Sequence, residues 1–488
     1  MAVISITAVF GENGLIKRAE EAKNMTEEAT RNEEQAIANA VAYMNEILGG
    51  SIPDEPEEPE AYVDSVIAEA PKLSEGMTPV KWNGSKWVKT TADDNEWYNY
   101  AEKKWANVVL GDATFTTSGS EEILDESKTY SMLVWIPRYA YQITSQYHQN
   151  GSTAGNINIV FIDTNNQNKD KSKTYSESYP SYSTGSGMSD YVVHPAFNYG
   201  DTEETKTKLA GIWVGKYETS NTNCTTTAST GEYDNTDRTA TIRPNVTSWR
   251  SISISNIYTV CTELNKDGNP YGLNSSDTAV DPHLMKNSEW GAVAYLSQNG
   301  DYGKGSEVWI NNSSTYITGN AGNSASESSA SGVTNAYNTT NGQNASTTGN
   351  TTGVYDMSGG ASESVAAYVN NGHSNLTTNG SNLVNAAARY KEVYQASSTS
   401  GSDSQSSNYG YSTPTNGKYG DAVYETSNSH SSSASWYSDG SNFPYSNFPF
   451  FSRGGNCDNG SLAGLFIFNR SNGSAYSGGS FRVVLTVM

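Results

Sequence analysis

Three stretches of the chain, residues 148–190, 311–352 and 395–435, are dominated by Ser, Thr, Asn and Gly. Segments so poor in large apolar side chains cannot pack a core. Any core must come from the short apolar strings between them. The polar tracts then become long loops on a rigid scaffold, or surface that does work. The strings read mostly as strands: Met132–Thr144, Leu209–Ser220, Ala463–Phe468 and Phe481–Val487. One string, residues 281–298, has helical spacing, with Leu284, Trp290, Val293 and Leu296 on its buried side. Gly353–Val369 is a turn of small residues flanked by apolar ones.

The N-terminal part is organised differently. Residues 13–48 space Leu15, Ile16, Ala19, Ala22, Ile37, Val41, Met44 and Leu48 as one long helix stopped by Gly49 and Gly50. On pattern alone a solvated tether or coiled segment fits equally well. Residues 51–61 form a Pro/Glu linker, kept extended by Pro and by carboxylate repulsion. Residues 62–131 read as a small β-hairpin region, with Asn83-Gly84 as the first turn and a second hairpin around 96–110. The remainder, 132–488, is the main domain.

Composition bounds the partners. Hydrophobic content is 35%, with 32 Tyr and 44 Gly, a mixture suited to β-rich structure stiffened by aromatics. The net charge of −22 excludes nucleic acid, which needs a basic footprint, and disfavours an anionic membrane surface. Cys224, Cys261 and Cys457 match no zinc spacing and no Cys-x-x-Cys; a Cys224–Cys261 disulfide is open but unforced. "MAVISITAVF" has half the length of a membrane span and lacks the basic start of a signal peptide. The chain is therefore expected either to be soluble or to have lost its true N-terminus.

The ordered strings "WIPRYAYQI", "IWVGKYETS", "HLMKNSEWGAVAYLS", "GVYDMSGGASES" and "FFSRGG…SFRVVL" resemble the formylglycine-generating-enzyme branch of the C-type lectin fold. Asp356, Met357, Gly359 and Glu363 stand at the positions of that branch's Asp-Met-x-Gly-Asn-x-x-Glu-Trp motif. The resemblance implies an α+β, C-type lectin-fold domain with long loops. It specifies the fold rather than the activity. The C-terminus further resembles variable proteins diversified by retroelements. In those, constant "RGG", "AGLF" and "SFR" strings alternate with mutated positions rich in Asn, Ser, Tyr, Asp and Gly. "FGENGLIKRAEEAKNMTEEA" resembles the region following the membrane helix of type IV pilin-like proteins of Gram-positive gut bacteria.

These resemblances imply a pilin-like helix preceding a domain whose variable region, about 436–482, binds a ligand through Asn442, Asn447, Ser452, Asn456, Cys457, Asp458, Asn459, Leu462, Ile467, Arg470, Ser471, Ser474, Gly478 and Gly479. Tyr445 and Tyr476 are the aromatic anchors nearby, so the expected contact is polar and wet. The implied partner is a protein or glycan on another cell, a phage or a host surface, with pilin subunits as further partners. The implied location is extracellular, at the cell surface or on a pilus. Two rival readings are a formylglycine-generating-type oxidase and a passive structural pilin. Cys457 has no nearby cysteine to complete the two-thiolate copper site that such an oxidase uses, so no enzyme activity is expected. Asp356 and Glu363 read as fold-stabilising. No cofactor is expected, save a structural calcium at Asp301, Asn311 and loop carbonyls. Trp213, Trp249 and Trp290 read as core, and Trp436 as the tryptophan that leads into the variable surface.

Overall fold

A computed structural model describes residues 61–488, apart from 112–113, 278, 331–334 and 431. The helix expected over 13–48 and the linker through Glu60 lie outside the described residues. Residues 61–488 form a single unit of mixed α and β structure, in which strands outweigh helices. No helix among the described residues is long and apolar enough to cross a membrane.

The core is a nine-stranded antiparallel sheet. Its strands are β1 (Met77–Trp82), β2 (Trp87–Lys89), β3 (Asn107–Leu110), β4 (Phe115–Ser118), β5 (Glu121–Leu124), β6 (Ser131–Pro137), β9 (Gly211–Gly215), β10 (Val280–Leu284) and β16 (Val483–Val487). They lie in the order β10-β16-β9-β6-β3-β1-β2-β5-β4. β1 and β2 form the hairpin expected at Asn83-Gly84. The Asn83 carboxamide accepts from the N–H groups of Ser85 and Lys86 at 3.1 and 2.9 Å, and Trp82 faces Trp87 across the strands. The second expected hairpin has a one-turn 3-10 helix, Tyr100–Glu102, in place of its first strand. The boundary drawn between 131 and 132 has no counterpart in this sheet, because Ser131 of β6 pairs with Leu110 of β3.

The apolar string 132–144 is two strands. β6 ends at Pro137, and β7 (Tyr139–Ile143) joins β8 (Ile157–Phe161) and residues Val192–Val193 in a separate sheet. Arg138 makes the corner. Its side chain is fully buried and donates to the Phe197 carbonyl at 2.7 Å and the Asn166 carboxamide at 2.6 Å. Burial brings its pKa down to about 10.

The string expected to be helical from residue 281 begins as a strand. β10 pairs with β16 from Val280↔Val487 to Leu284↔Val483, and the helix α2 spans only Asn287–Gln298. The Glu289 carboxylate accepts from the Lys286 N–H at 2.8 Å, which starts the helix there rather than at Asp281. α2 is buried from Asn287 to Ser297, so helical amphipathicity alone cannot locate its ends. A shorter helix, α1, spans Ile254–Thr262.

The polar tracts also differ from expectation. Asn311, Ser313, Thr318, Asn320, Ser346 and Thr347 are fully buried, as are Val423, Glu425 and Ser427. Their short side chains bond the backbone around them. Thr318 Oγ1 donates to the Arg243 carbonyl at 2.7 Å, and Ser427 Oγ donates to the Val423 carbonyl at 2.6 Å. Polar satisfaction lets these tracts pack with little regular secondary structure.

The three cysteines are buried and free, so the Cys224–Cys261 disulfide does not form. Trp213, Trp249, Trp290 and Trp436 are all fully buried.

Candidate functional site

The site grows from a second, smaller sheet. Its strands are β11 (Ser362–Val369), β12 (Glu392–Tyr394), β13 (Phe450–Gly454), β14 (Gly464–Ser471) and β15 (Gly479–Phe481). β11 pairs antiparallel with β13 along one edge, and β13 with β14. β12 and β15 pair parallel with opposite ends of β11 along its other edge.

Strand periodicity divides this sheet into two faces. Ser364 of β11, Ser452 of β13 and Asn469 of β14 lie opposite one another in one row. Ser362 and Ser471 continue that face. The next row, Glu363, Arg453 and Phe468, points inward and is fully buried. The Arg453 guanidinium donates to the carbonyls of Asp421 and Ala422 at 2.9 and 3.0 Å. Glu363 is held by Arg482, which stands between β15 and β16. Arg482 also donates to the Gly215 carbonyl of β9 at 2.7 Å, so it couples the small sheet to the large one.

Three further carboxyl relationships stabilise this junction. Asp356 accepts from Gly319 N–H and from Asn311 Nδ2 at 2.9 Å. Glu218 accepts from Ala361 N–H at 2.8 Å. Burial raises the pKa of Glu218, Asp356 and Glu363, with Glu363 pushed up to about 7 against the pull of Arg482. Asp356 and Glu363 thus act within the core. Asn311 is held on both sides of its carboxamide, Oδ1 accepting from Ser313 N–H at 3.1 Å and Nδ2 donating to the Ile317 carbonyl at 2.8 Å. No group of three or more His, Cys, Asp or Glu suited to a metal ion occurs among the described residues.

On the outer face the polar row floors a cleft of ≈ 200 Å³. Ser362, Ser364, Ser452, Asn469 and Ser471 line it from the strands. Ile252, Asn456, Asn459, Arg470, Ser474, Tyr476 and Gly479 complete it. Two loops form its rims, both pinned through their main chains. Gly454 and Gly455 have φ of +77° and +72°, which turns the chain sharply out of β13, in a conformation glycine adopts without strain. Beyond them, Asn459 Oδ1 accepts from Asn456 N–H at 2.8 Å. On the other rim, the Tyr476 carbonyl accepts from Ser251 N–H at 2.9 Å, and the Gly473 carbonyl accepts from Ile254 N–H at 3.0 Å. The Tyr476 ring is 55% exposed and lies over Gly478 and Gly479.

The fourteen expected contact residues divide. Ser452, Asn456, Asn459, Arg470, Ser471, Ser474 and Gly479 come together in the cleft. Asn442, Asn447, Cys457, Asp458, Leu462, Ile467 and Gly478 do not line it. Ile467 is buried, because the middle of β14 is covered on both faces. Cys457 is buried as well, and its N–H donates to the Gly360 carbonyl. Burial, with the Asp458 charge beside it, pushes the Cys457 thiol up to about 11. Gly478 is buried, and its carbonyl accepts from Ser362 N–H. Asn447, Asp458 and Leu462 are exposed outside the cleft. Asn442 is half-buried and accepts from Arg470 Nη1 at 3.2 Å. Arg470 borders the cleft, but its guanidinium lies over Tyr445 and Phe448, 5.3 and 5.6 Å from their ring centroids. Trp436 is no ligand platform. Its indole N–H donates to the Gln146 carbonyl at 2.9 Å, and its ring packs against Phe466.

Ser362, Ser364 and Asn469 belong to the cleft without having been expected there. Counting by twos from Ser452 and across the ladder finds them, once the register is known. Of the lining residues only Arg470 is charged. In a chain of net charge −22, the cleft is thus free of carboxylates. It offers hydroxyls and carboxamides, which both donate and accept, and one exposed phenol.

No protein-family model matches the chain, and no curated protein matches it. Among solved structures it is similar to Treponema denticola variable protein 1, at 11% identity and a TM-score of 0.23, over 60% of this chain and 91% of that one.

Proposed function

We propose that the chain is a ligand-binding protein of C-type lectin fold whose cleft is a retroelement-diversified recognition surface, carried at a cell surface or pilus by a pilin-like N-terminal helix. The ligand is a protein or glycan of another cell, a phage or a host. One observation carries this reading: Ser364, Ser452, Asn469 and Ser471 present polar side chains to the cleft from main-chain-pinned supports, while the adjacent row, Glu363, Arg453 and Phe468, is fully buried in the core. Exposed substitutions on such a scaffold cost little, usually within about half a kcal/mol. Hydroxyl, carboxamide and phenol groups form the palette of adaptable binding surfaces. Binding is favoured over cysteine oxidation, because a buried thiol held up at about 11 supplies little thiolate.

The test is to sequence the coding 3′ end from many descendants of one bacterial clone. Substitutions should concentrate in codons for Ser452, Asn456, Asn459, Asn469, Ser471, Ser474 and Tyr476, and spare Arg453, Phe481 and Arg482. An even spread across both sets, or complete invariance, would remove the proposal.

A further inference from the structure

The cleft is not the largest concavity of the domain. A groove of ≈ 660 Å³ lies beside the β1–β2 hairpin, with Trp82 in its lining. Trp82 is half-buried, whereas Trp87, Trp97 and Trp105 in the same region are at most 3% exposed. Its ring contacts, with Trp87 and Tyr337, are edge-type at 64° and 67°, so neither ring stacks flat on the indole. Trp82 thus keeps part of an unstacked indole face at the groove, available to a ligand.

We infer that this groove is a second binding site, and that it takes a neutral oligosaccharide. Three features select that chemistry. First, Trp82 is the single aromatic residue in an otherwise polar lining, so an apolar ligand would strand the groove's amides and carboxylates. Second, the lysines are already committed. Lys81 is ion-paired to Asp94 and Glu96 at 2.7 and 2.6 Å, and Lys104 to Glu102 at 2.6 Å. With Glu121 also present, the lining carries a net negative charge and repels an anionic ligand. Third, the Asn95 carboxamide and the Asn99 Nδ2 group stand beside the carboxylates, while Asn83 is taken up by its turn and by Glu121. Amides donate and accept, and carboxylates accept, which matches the hydroxyls of a sugar. A sugar ring presents a C–H face to an indole and hydroxyls at its rim. The groove's volume lies within the usual range of small-molecule sites, about 300–1,000 Å³.

The experiment is calorimetric titration of the full chain with cellohexaose, mannohexaose and chitotetraose, alongside a galacturonic-acid oligomer of similar length. At least one neutral sugar should saturate the protein, and the acidic one should bind more weakly. Trp82→Ala should weaken the neutral complex by about tenfold or more, while Trp82→Phe keeps most of it. Should Trp82→Ala fail to fold, Asn95→Lys at an exposed position reads the same groove: weaker binding supports the site, and unchanged binding overturns it. The inference also falls if none of the neutral sugars binds, if binding survives Trp82→Ala undiminished, or if the acidic oligomer binds as tightly.

Discussion

Arg482 grips both oxygens of the Glu363 carboxylate, and neither side chain reaches solvent. Two further donors go to the carbonyls of Gly215 and Tyr355. Removing one member of a buried pair strands the other, at a cost of about 3–5 kcal/mol. Arg482→Met should therefore lower stability by about that amount in urea unfolding. A loss under about 1 kcal/mol would mean that the two sheets are coupled by packing alone.

The two faces of the small sheet should respond oppositely to truncation. Ser471→Ala and Asn469→Ala, on the cleft side, should each stay within about 0.5 kcal/mol of the parent. Phe451→Ala, on the buried side of the same strands, should cost about 3–5 kcal/mol. Comparable losses on both faces would sink the separation of recognition from support.

A buried carboxyl makes stability depend on pH. Glu425 accepts from the hydroxyls of Tyr141 and Tyr295, both at 2.8 Å, from that of Tyr179 at 2.5 Å and from Gly420 N–H at 2.5 Å, and no ion pair engages it among the described residues. Burial holds its pKa up at about 7. A carboxyl raised in this way favours the fold while protonated. Its contribution is complete below the unfolded value of about 4.3 and is lost as pH rises through about 7. Glu425→Gln should flatten the fall in melting temperature between about pH 5 and about pH 8, and should gain on the parent at the alkaline end, by up to about 3 kcal/mol. An equally steep profile in the variant would show that the three phenols and the Gly420 N–H already stabilise the ionised form.

Thiol chemistry offers a fourth check. Cys224, Cys261 and Cys457 are free and buried, and burial raises the pKa of each. Intact-mass spectrometry should find all three alkylated after unfolding without reductant. In the folded chain iodoacetamide should react at least about tenfold more slowly at each. Rapid labelling of folded Cys457 would reopen the oxidase reading.

Much of this architecture is legible in the sequence, and the failures have physical causes. The hairpin at Asn83-Gly84 announces itself through turn chemistry that acts locally. The strings at Met132–Thr144 and Phe481–Val487 read as strands, but each is broken at a single buried arginine, Arg138 or Arg482. Nothing in the apolar pattern shows that the chain changes sheets there, because the partners of both arginines are distant in sequence. Ile467 looked available because it follows a constant-looking "AGLF"; covering both faces of β14 takes tertiary structure. Asn469 and Ser364 show the converse: only the ladder sets them beside Ser452. The packing of the polar tracts is hidden in the sequence because composition counts apolar area and not how buried Asn, Ser and Thr bond the backbone around them.

The last strand, Val483–Val487, is an interior member of the large sheet, paired on one side with Val280–Leu284 and on the other with Gly211–Gly215. Every residue of the cleft precedes it in the chain. A nonsense or frameshifting error anywhere in the cleft-bearing segment therefore deletes or scrambles an interior strand rather than a tip. Such products lose the strand that joins Val280–Leu284 to the rest of the sheet. The large sheet thus depends on a reading frame that emerges intact from the cleft-bearing segment.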